Sequence, residues 1–444
     1  MTHTKIVCTI GPRTCDTTSI HKLMECGMNL ARLNGSHNTL EWHRETIERI
    51  RTLNEATPIL LDIPGRKLRV DARQIPVDCN VGTEIVFSHD AEGGGSTRII
   101  VDSSHLSDLL NEGDPILVAD GKLEFAVKYI QGKDVVTEVV SAGRVGSRMG
   151  INLPNSSANL PVFSHGDREL IQFGIENGID FLGFSFVGSA SEVKQLRQLI
   201  GAVQTIGVIS KIETRSGIEN LDEILEVSDG ILLDRGDLGS ETTIENVGIL
   251  QKRVIAEANA AAKPVIVATQ MLHSMVNSQV PTKAEITDIT NAVIDGASAL
   301  MLSEETAIGA FPNECVSLMK RVITQVEETG FVHSQAGSEV LDPSVEDAQP
   351  RAIAKAIDTI CKSMHVTKIV CVTMSGFAAR VVSSHKPDQK ILAATNSVER
   401  TRQFNLLWGV EGSYVPFEFD PYSSSHIVQC LKALWQRDKI VESD

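Results

Sequence analysis

Apolar positions along the chain fall into two alternating patterns. Short runs such as "TKIVCTI" (4–10), "MNLARLN" (28–34) and "PILLDI" (58–63) have the near-continuous hydrophobicity of strands buried on both faces. Residues 17–27 and 39–54 instead place apolar side chains at helical spacing. The alternation resumes with a helix at 165, "DFLGFSF", a helix near 190–201, "TIGVISKIE" and "DGILLDR". It continues through a helix over 244–262, "PVIVATQ", a helix over 283–295, "ALMLSEE" and a helix near 312–328. Eight strand-then-helix units predict an α/β fold of the (β/α)8 TIM-barrel type, with a doubly wound open sheet as the alternative.

The pattern changes character between units three and four. "NVGTEIVFS", "STRIIVDS", "DPILVAD", "LEFAVKYI" and "DVVTEVV" read as short strands between Gly and Asp turns, and "AEGGGS" as a mobile hairpin tip. Residues 70–160 are therefore expected to form an all-β insert, placed where barrel enzymes keep their active sites and positioned as a lid. The barrel would comprise 1–69 plus 161–330, with a polar linker at 331–350 and a small α/β domain at 351–444.

Composition narrows the partners. A net charge of −16 over 444 residues disfavours a general nucleic-acid binder, and an anionic substrate would need its own cluster of positive groups. No run of about 18 apolar residues suggests a membrane span. The N-terminus lacks the regions of a signal peptide, and the eight cysteines are scattered without metal-ligand spacing. The default expectation is a reduced, cytoplasmic protein.

Strand ends supply the candidate chemistry, because a barrel gathers catalytic groups where its strands end. They carry Arg32 and Asn34, Asp62, Lys211 and Glu213, Arg235 and Asp237, Thr269, then Ser303 and Glu305. Lys211 and Glu213 are two residues apart and so share one face of a strand; burying both calls for pairing or an ion. Glu213 and Asp237 together suit a hard divalent cation, with Lys211 and Arg32 flanking an anionic substrate. Phosphoryl transfer fits this set, and so does metal-assisted enolate chemistry. "RGDLG" (235–239) reads as amides approaching an anion or as a plain strand-to-helix turn, and "PTKAEITD" as a helix start with its acids in solvent. His37 by itself reads as a packed polar residue, and the Thr373 and Ser375 loop as an ordinary turn.

"TKIVCTIGP", "GMNLARLNGSH", "ISKIET", "DEILEVSDGILLDRGDLG", "KPVIVATQML" and "PTKAEITDITNAVIDGASALMLSEETAIGAFP" together resemble the pyruvate kinase family, nearly continuously from residue 4 to about 330. The resemblance implies a TIM barrel, an inserted small β-barrel lid and a C-terminal α/β domain. It implies phosphate transfer from phosphoenolpyruvate to ADP, a magnesium or manganese ion, and a homotetramer. Motif matching assigns the metal to Glu213 and Asp237, and stabilisation of the transferring phosphoryl group to Lys211. It assigns the substrate carboxylate to the amides of Gly236 and Asp237 with Thr269, and a phosphoryl contact to Arg32. Asn34, Ser36, Asp62 and the Ile63 carbonyl match the monovalent-cation site, while Arg69, His37 and Arg148 fall on the nucleotide side.

Departures from the family pattern matter as much. "LDIPGRKLRV" puts Lys67 where a glutamate is usual, as in potassium-independent members, since a tethered ammonium can replace a mobile cation. No potassium requirement is expected. Arg148 and Met149 replace paired lysines of the lid, Arg66 replaces a proline, Glu304 makes "SEET" of "SGET", and Asp234 makes "DRGDLG" of "ARGDLG". These changes fall on the acceptor side. The alternatives are thus a relative that uses phosphoenolpyruvate with another acceptor or other enolpyruvate chemistry, or a noncatalytic binding paralogue. Phe377 in the C-terminal loop and the stop at "KIVESD" imply no sugar-phosphate activation of the usual kind.

Overall fold

The computed structural model describes residues 2–90, 97–119, 121–154, 161–201, 205–332, 348–418, 420 and 422–441. Eight parallel strands close into a barrel: β1 (Lys5–Ile10), β2 (Leu30–Asn34), β3 (Ile59–Ile63), β4 (Phe181–Phe184), β5 (Gly207–Ile212), β6 (Gly230–Asp234), β7 (Val265–Ala268) and β8 (Ala299–Leu302). The open sheet is excluded by closure, since β1 pairs with both β2 and β8. Every barrel strand is almost wholly buried, which is why each reads as a near-continuous apolar run broken mainly towards its ends.

Side-chain parity divides the strands into two faces. Cys8, Ala31, Leu61, Val208 and Leu233 pack outward against the helices. Val7, Leu30, Leu60, Phe181, Ile209, Leu232 and Ile266 fill the lower interior, closed from below by Leu406 of the C-terminal domain. Because the strand period is two, the inward parity continues upward to Arg32, Asp62, Lys211 and Asp234. An apolar floor therefore carries a layer of charge at the mouth.

The predicted helices are present within a residue or two, except that 244–262 opens with a 3-10 turn before helix Val247–Ala260. The stretch after β5, which showed no helical pattern, forms two short helices, Arg215–Glu219 and Leu221–Val227, broken at Asn220. "RGDLG" is the first turn of a helix, Arg235–Glu241, capped by Asp234. Glu285 does not face solvent: it completes the capping box at Thr282 and accepts from the Ser274 amide at 2.7 Å.

The insert enters between β3 and helix His165–Glu176. Its strands form a seven-stranded sheet running from Leu68–Arg69 at one edge to Arg98–Ile100 at the other, plus a two-stranded ribbon of Val77–Cys79 with Gly143–Val145. A bridge between Val70 and Val101 joins the two edges, so the sheet curls into a small barrel around Phe87 and Phe125. The short strands Val77–Cys79, Gly143–Val145 and Gly150–Asn152 were not apparent in the sequence. The hairpin tip "AEGGGS" and most of the linker, 333–347, lie outside the described residues.

The C-terminal domain has a three-stranded parallel sheet, Lys368–Val372, Lys390–Thr395 and Val410–Tyr414. It is docked under the barrel floor rather than hung separately. Arg402 is ion-paired with buried Asp180, which also binds Arg51 at 2.7 Å. Lys5 donates to the Val410 carbonyl at 2.8 Å, and Trp408 Nε1 to Thr4 Oγ1 at 3.2 Å. All eight cysteines are free, and no helix of the described residues is long and apolar enough to cross a membrane.

Candidate active site

Lys211 and Glu213 enter the barrel mouth from the end of β5, with Nζ 2.8 Å from Oε1. Nζ also donates to Ser185 Oγ at 2.9 Å and to Asp62 Oδ2 at 3.3 Å. Burial opposes charge on Lys211, but Asp62, Glu213 and Asp234 outweigh it and hold the ammonium above its usual pKa. Arg32 is ion-paired with the same Asp62 oxygen and donates to Thr9 Oγ1 at 3.1 Å. For Asp62, burial is again outweighed, here by Lys211 and Arg32, and the carboxyl stays below the usual range.

Glu213 is different. It is fully buried and its Oε2 accepts the Phe186 amide at 2.8 Å. Burial, with Asp237 and Asp234 as neighbours, outweighs Lys211 and pushes it up to about 8. One oxygen each from Glu213, Asp234 and Asp237 lies within 4.8 Å of the others. Among the described residues, Glu213 Oε1 is met by the Lys211 ammonium but by no further donor, and Asp62 Oδ1 has no hydrogen-bond partner. Buried, oxygen-only donors with an unmade bond suit a hard divalent cation.

Thr269 and Gln270 both have left-handed backbones, φ 69° and 56°. Such a conformation costs a β-branched residue of order 1–3 kcal/mol. The strain is held by Thr269 Oγ1, which donates to the Ala268 carbonyl at 2.6 Å and accepts from the Gly236 amide at 2.9 Å. Arg235 backs this turn, reaching the Ala268 carbonyl at 3.2 Å and Asp288 at 2.7 Å. The Gly236 amide, assigned to a substrate carboxylate, is thus shared between Thr269 and Asp234 Oδ1 in the free protein.

The expected monovalent-cation residues lie at the ends of β2 and β3, where Asn34 pairs in register with Asp62. Asn34 accepts from the Ser36 amide at 3.1 Å, and the Ile63 carbonyl accepts from Ser185 Oγ at 2.7 Å. Lys67 reaches across to Asp237, with its ammonium 5.6 Å from the Phe186 ring centroid. On the nucleotide side, Arg69 donates to the Arg148 carbonyl at 3.4 Å, and Arg148 has a φ of 61°. His37 is not packed: it stands on the exposed rim, where partial desolvation and the charges of Arg69, Arg32 and Arg148 lower its pKa.

Two departures have neighbours outside the cluster of Lys211, Glu213 and Asp237. Arg66 is buried and tied to Glu192, and Glu304 sits 3.6 Å from His273 at the surface. Ser185 was missed, although its place two residues beyond Gly183 on the inward face of β4 was the available signal. A side chain at Gly183 would come within 2.9 Å of Asp62 Oδ1, so the residue must be glycine for Asp62 to take its place. The buried contact of lid to barrel, Asn152 to Glu241 at 3.3 Å, was also unforeseen.

The family model for the pyruvate kinase barrel domain matches residues 1–316, and that for the pyruvate kinase alpha/beta domain matches 351–444. The chain belongs to the pyruvate kinase family. It is 37% identical to a pyruvate kinase of Thermococcus litoralis over 444 residues, covering 97% of this chain and 92% of that one. It is 38% identical to a pyruvate kinase of Dictyostelium discoideum over 410 residues, covering 88% and 80%. A crystal structure of a pyruvate kinase from Cryptosporidium parvum superposes with a TM-score of 0.87 at 33% identity, covering 100% of this chain and 92% of that chain. These matches establish a pyruvate kinase enzyme with the barrel and C-terminal α/β architecture, and they disfavour the noncatalytic reading.

Proposed function

We propose that the chain transfers the phosphoryl group of phosphoenolpyruvate to ADP, giving pyruvate and ATP, with a divalent cation and without potassium. The observation that supports this reading is the buried group Lys211, Glu213 and Asp62 at the barrel mouth, which suits an anionic, metal-bound substrate.

In this reading Glu213 and Asp237 hold magnesium or manganese, which neutralises charge on the transferring phosphoryl group when bound. The Lys211 ammonium and the Arg32 guanidinium face that group from the barrel side, already oriented by Asp62 and Ser185. Preorganised donors of this kind avoid reorganisation during transfer. Thr269 Oγ1 and the amides of Gly236 and Asp237 hold the substrate carboxylate, the Gly236 amide being released from Asp234. Arg69, His37 and Arg148 bind the nucleotide as the lid descends.

Lys67 supplies the fixed positive charge that potassium provides in other members. Asn34, Ser36, Asp62 and Ile63 then serve as scaffold for Arg32 and Ser185 rather than as cation ligands. By family resemblance the working unit is a homotetramer, which light scattering would check. ADP-dependent ATP formation that disappears in Glu213→Gln and Lys211→Met, both folded by circular dichroism, would support the reading. Persistence of turnover in either would overturn the assignment of that residue.

A further inference from the structure

The aspartate at position 234 stands where the family pattern has alanine, and the structure places it against the two carboxylates assigned to the metal. Asp234 follows Leu232 in inward parity on β6 and is 8% exposed. Its oxygen lies within 4.8 Å of those of Glu213 and Asp237. Those two acids each face an ammonium, Lys211 at 2.8 Å and Lys67 respectively. Asp234 instead accepts from the Gly236 amide at 3.2 Å, and that amide has a shorter bond to Thr269 Oγ1 at 2.9 Å.

A buried carboxylate is costly unless a cation or metal faces it. Among the described side chains that are ion-paired or clustered at this mouth, four acids, Asp62, Glu213, Asp234 and Asp237, face three cations, Arg32, Lys67 and Lys211, with buried Glu241 nearby. The fully buried Glu213 Oε1, among the described residues, is met by the Lys211 ammonium but by no further donor. Both features are relieved by one divalent cation seated among the three clustered acids.

We infer that Asp234 is a third carboxylate ligand of the divalent cation, which tightens this chain's hold on its metal when no substrate is bound. The inference rests on the assignment of Glu213 and Asp237 to the metal. Its chemistry is that of added ligand charge: a third anionic oxygen raises affinity for a hard cation in the free enzyme. Binding draws Asp234 toward the ion and leaves the Gly236 amide to Thr269 and the substrate.

The test is a manganese titration of the metal-free, substrate-free full chain, reading free manganese by its electron paramagnetic resonance signal. Wild type, Asp234→Asn, Asp234→Ala and Glu213→Gln are compared. Asp234→Asn keeps the volume and the amide acceptor, so a folding defect in Asp234→Ala does not decide the outcome. One site in wild type, weakened about tenfold or more in both Asp234 variants and in Glu213→Gln, is the expected result. Wild-type affinity in both Asp234 variants with loss in Glu213→Gln overturns the inference and leaves the metal site standing. Wild-type affinity in Glu213→Gln as well overturns the underlying assignment. A wild type that binds no manganese without substrate also overturns the inference.

Discussion

Lys67, in the neck that leads into the lid, is ion-paired with Asp237, in the first turn of the helix after β6. The positive charge tethered to the chain thus stands beside the carboxylates assigned to the metal. If it replaces potassium, Lys67→Glu should lose at least tenfold in kcat/KM in potassium-free buffer and recover in part when potassium is added. Wild type should be indifferent to potassium. Steady-state assays at fixed ionic strength would decide, and an equal response of both proteins to potassium would count against the idea.

Lys211 neutralises two buried acids at once. Replacing it with methionine should cost about 3–5 kcal/mol of stability in the metal-free protein, because Asp62 and Glu213 lose a buried partner. Turnover should fall by about 10²–10³, the usual loss for one preorganised donor to developing negative charge. Denaturant unfolding and initial rates measure the two effects separately, and magnesium should restore part of the stability.

Much of this site was legible in advance because barrel strands impose a two-residue parity. Once Ile209 is assigned to the interior, Lys211 and Glu213 must follow it, and Arg32 and Asp62 follow Leu30 and Leu60 by the same rule. What parity cannot give is the partner of a long side chain. Lys67 and Asp237 are 170 residues apart, and only tertiary folding brings the lysine to the carboxylates assigned to the metal. Arg66 lies next to it in sequence yet turns away to Glu192. The helices at 215–227 were missed because two short pieces broken at Asn220 never establish a helical repeat.

Gly183 makes a sharper test of packing than any charged residue. An added methyl would meet Asp62 Oδ1 at 2.9 Å, and Asp62 is pinned by Arg32 and Lys211. Gly183→Ala should therefore destabilise by about 1–3 kcal/mol and lower kcat, through misplacement of Arg32 and Lys211. Unchanged kinetics in a folded variant would show that Asp62 tolerates displacement.

The interface under the barrel should give the protein a pH-dependent stability. Lys386 is buried over the Trp408 ring, and burial, only partly offset by Glu327, pushes its ammonium down to about 7 from 10.5. Between those two values the unfolded chain holds the proton and the folded one does not, so this residue makes stability rise with pH across that window. Lys386→Met should raise the melting temperature by a few degrees below pH 7. The gain should shrink steadily to nothing by about pH 10.5. Melting curves of both proteins across that range would show it, and a pH-independent difference would assign the effect to packing alone.

The central claim is tested most directly by pyruvate release from phosphoenolpyruvate with magnesium, in potassium-free buffer, with and without ADP. Pyruvate formed with ADP, in step with ATP and without added potassium, is the result expected of these residues. Phosphoenolpyruvate and metal that bind together while ADP elicits no pyruvate would contradict it, and would point to another phosphoryl acceptor beneath the altered lid.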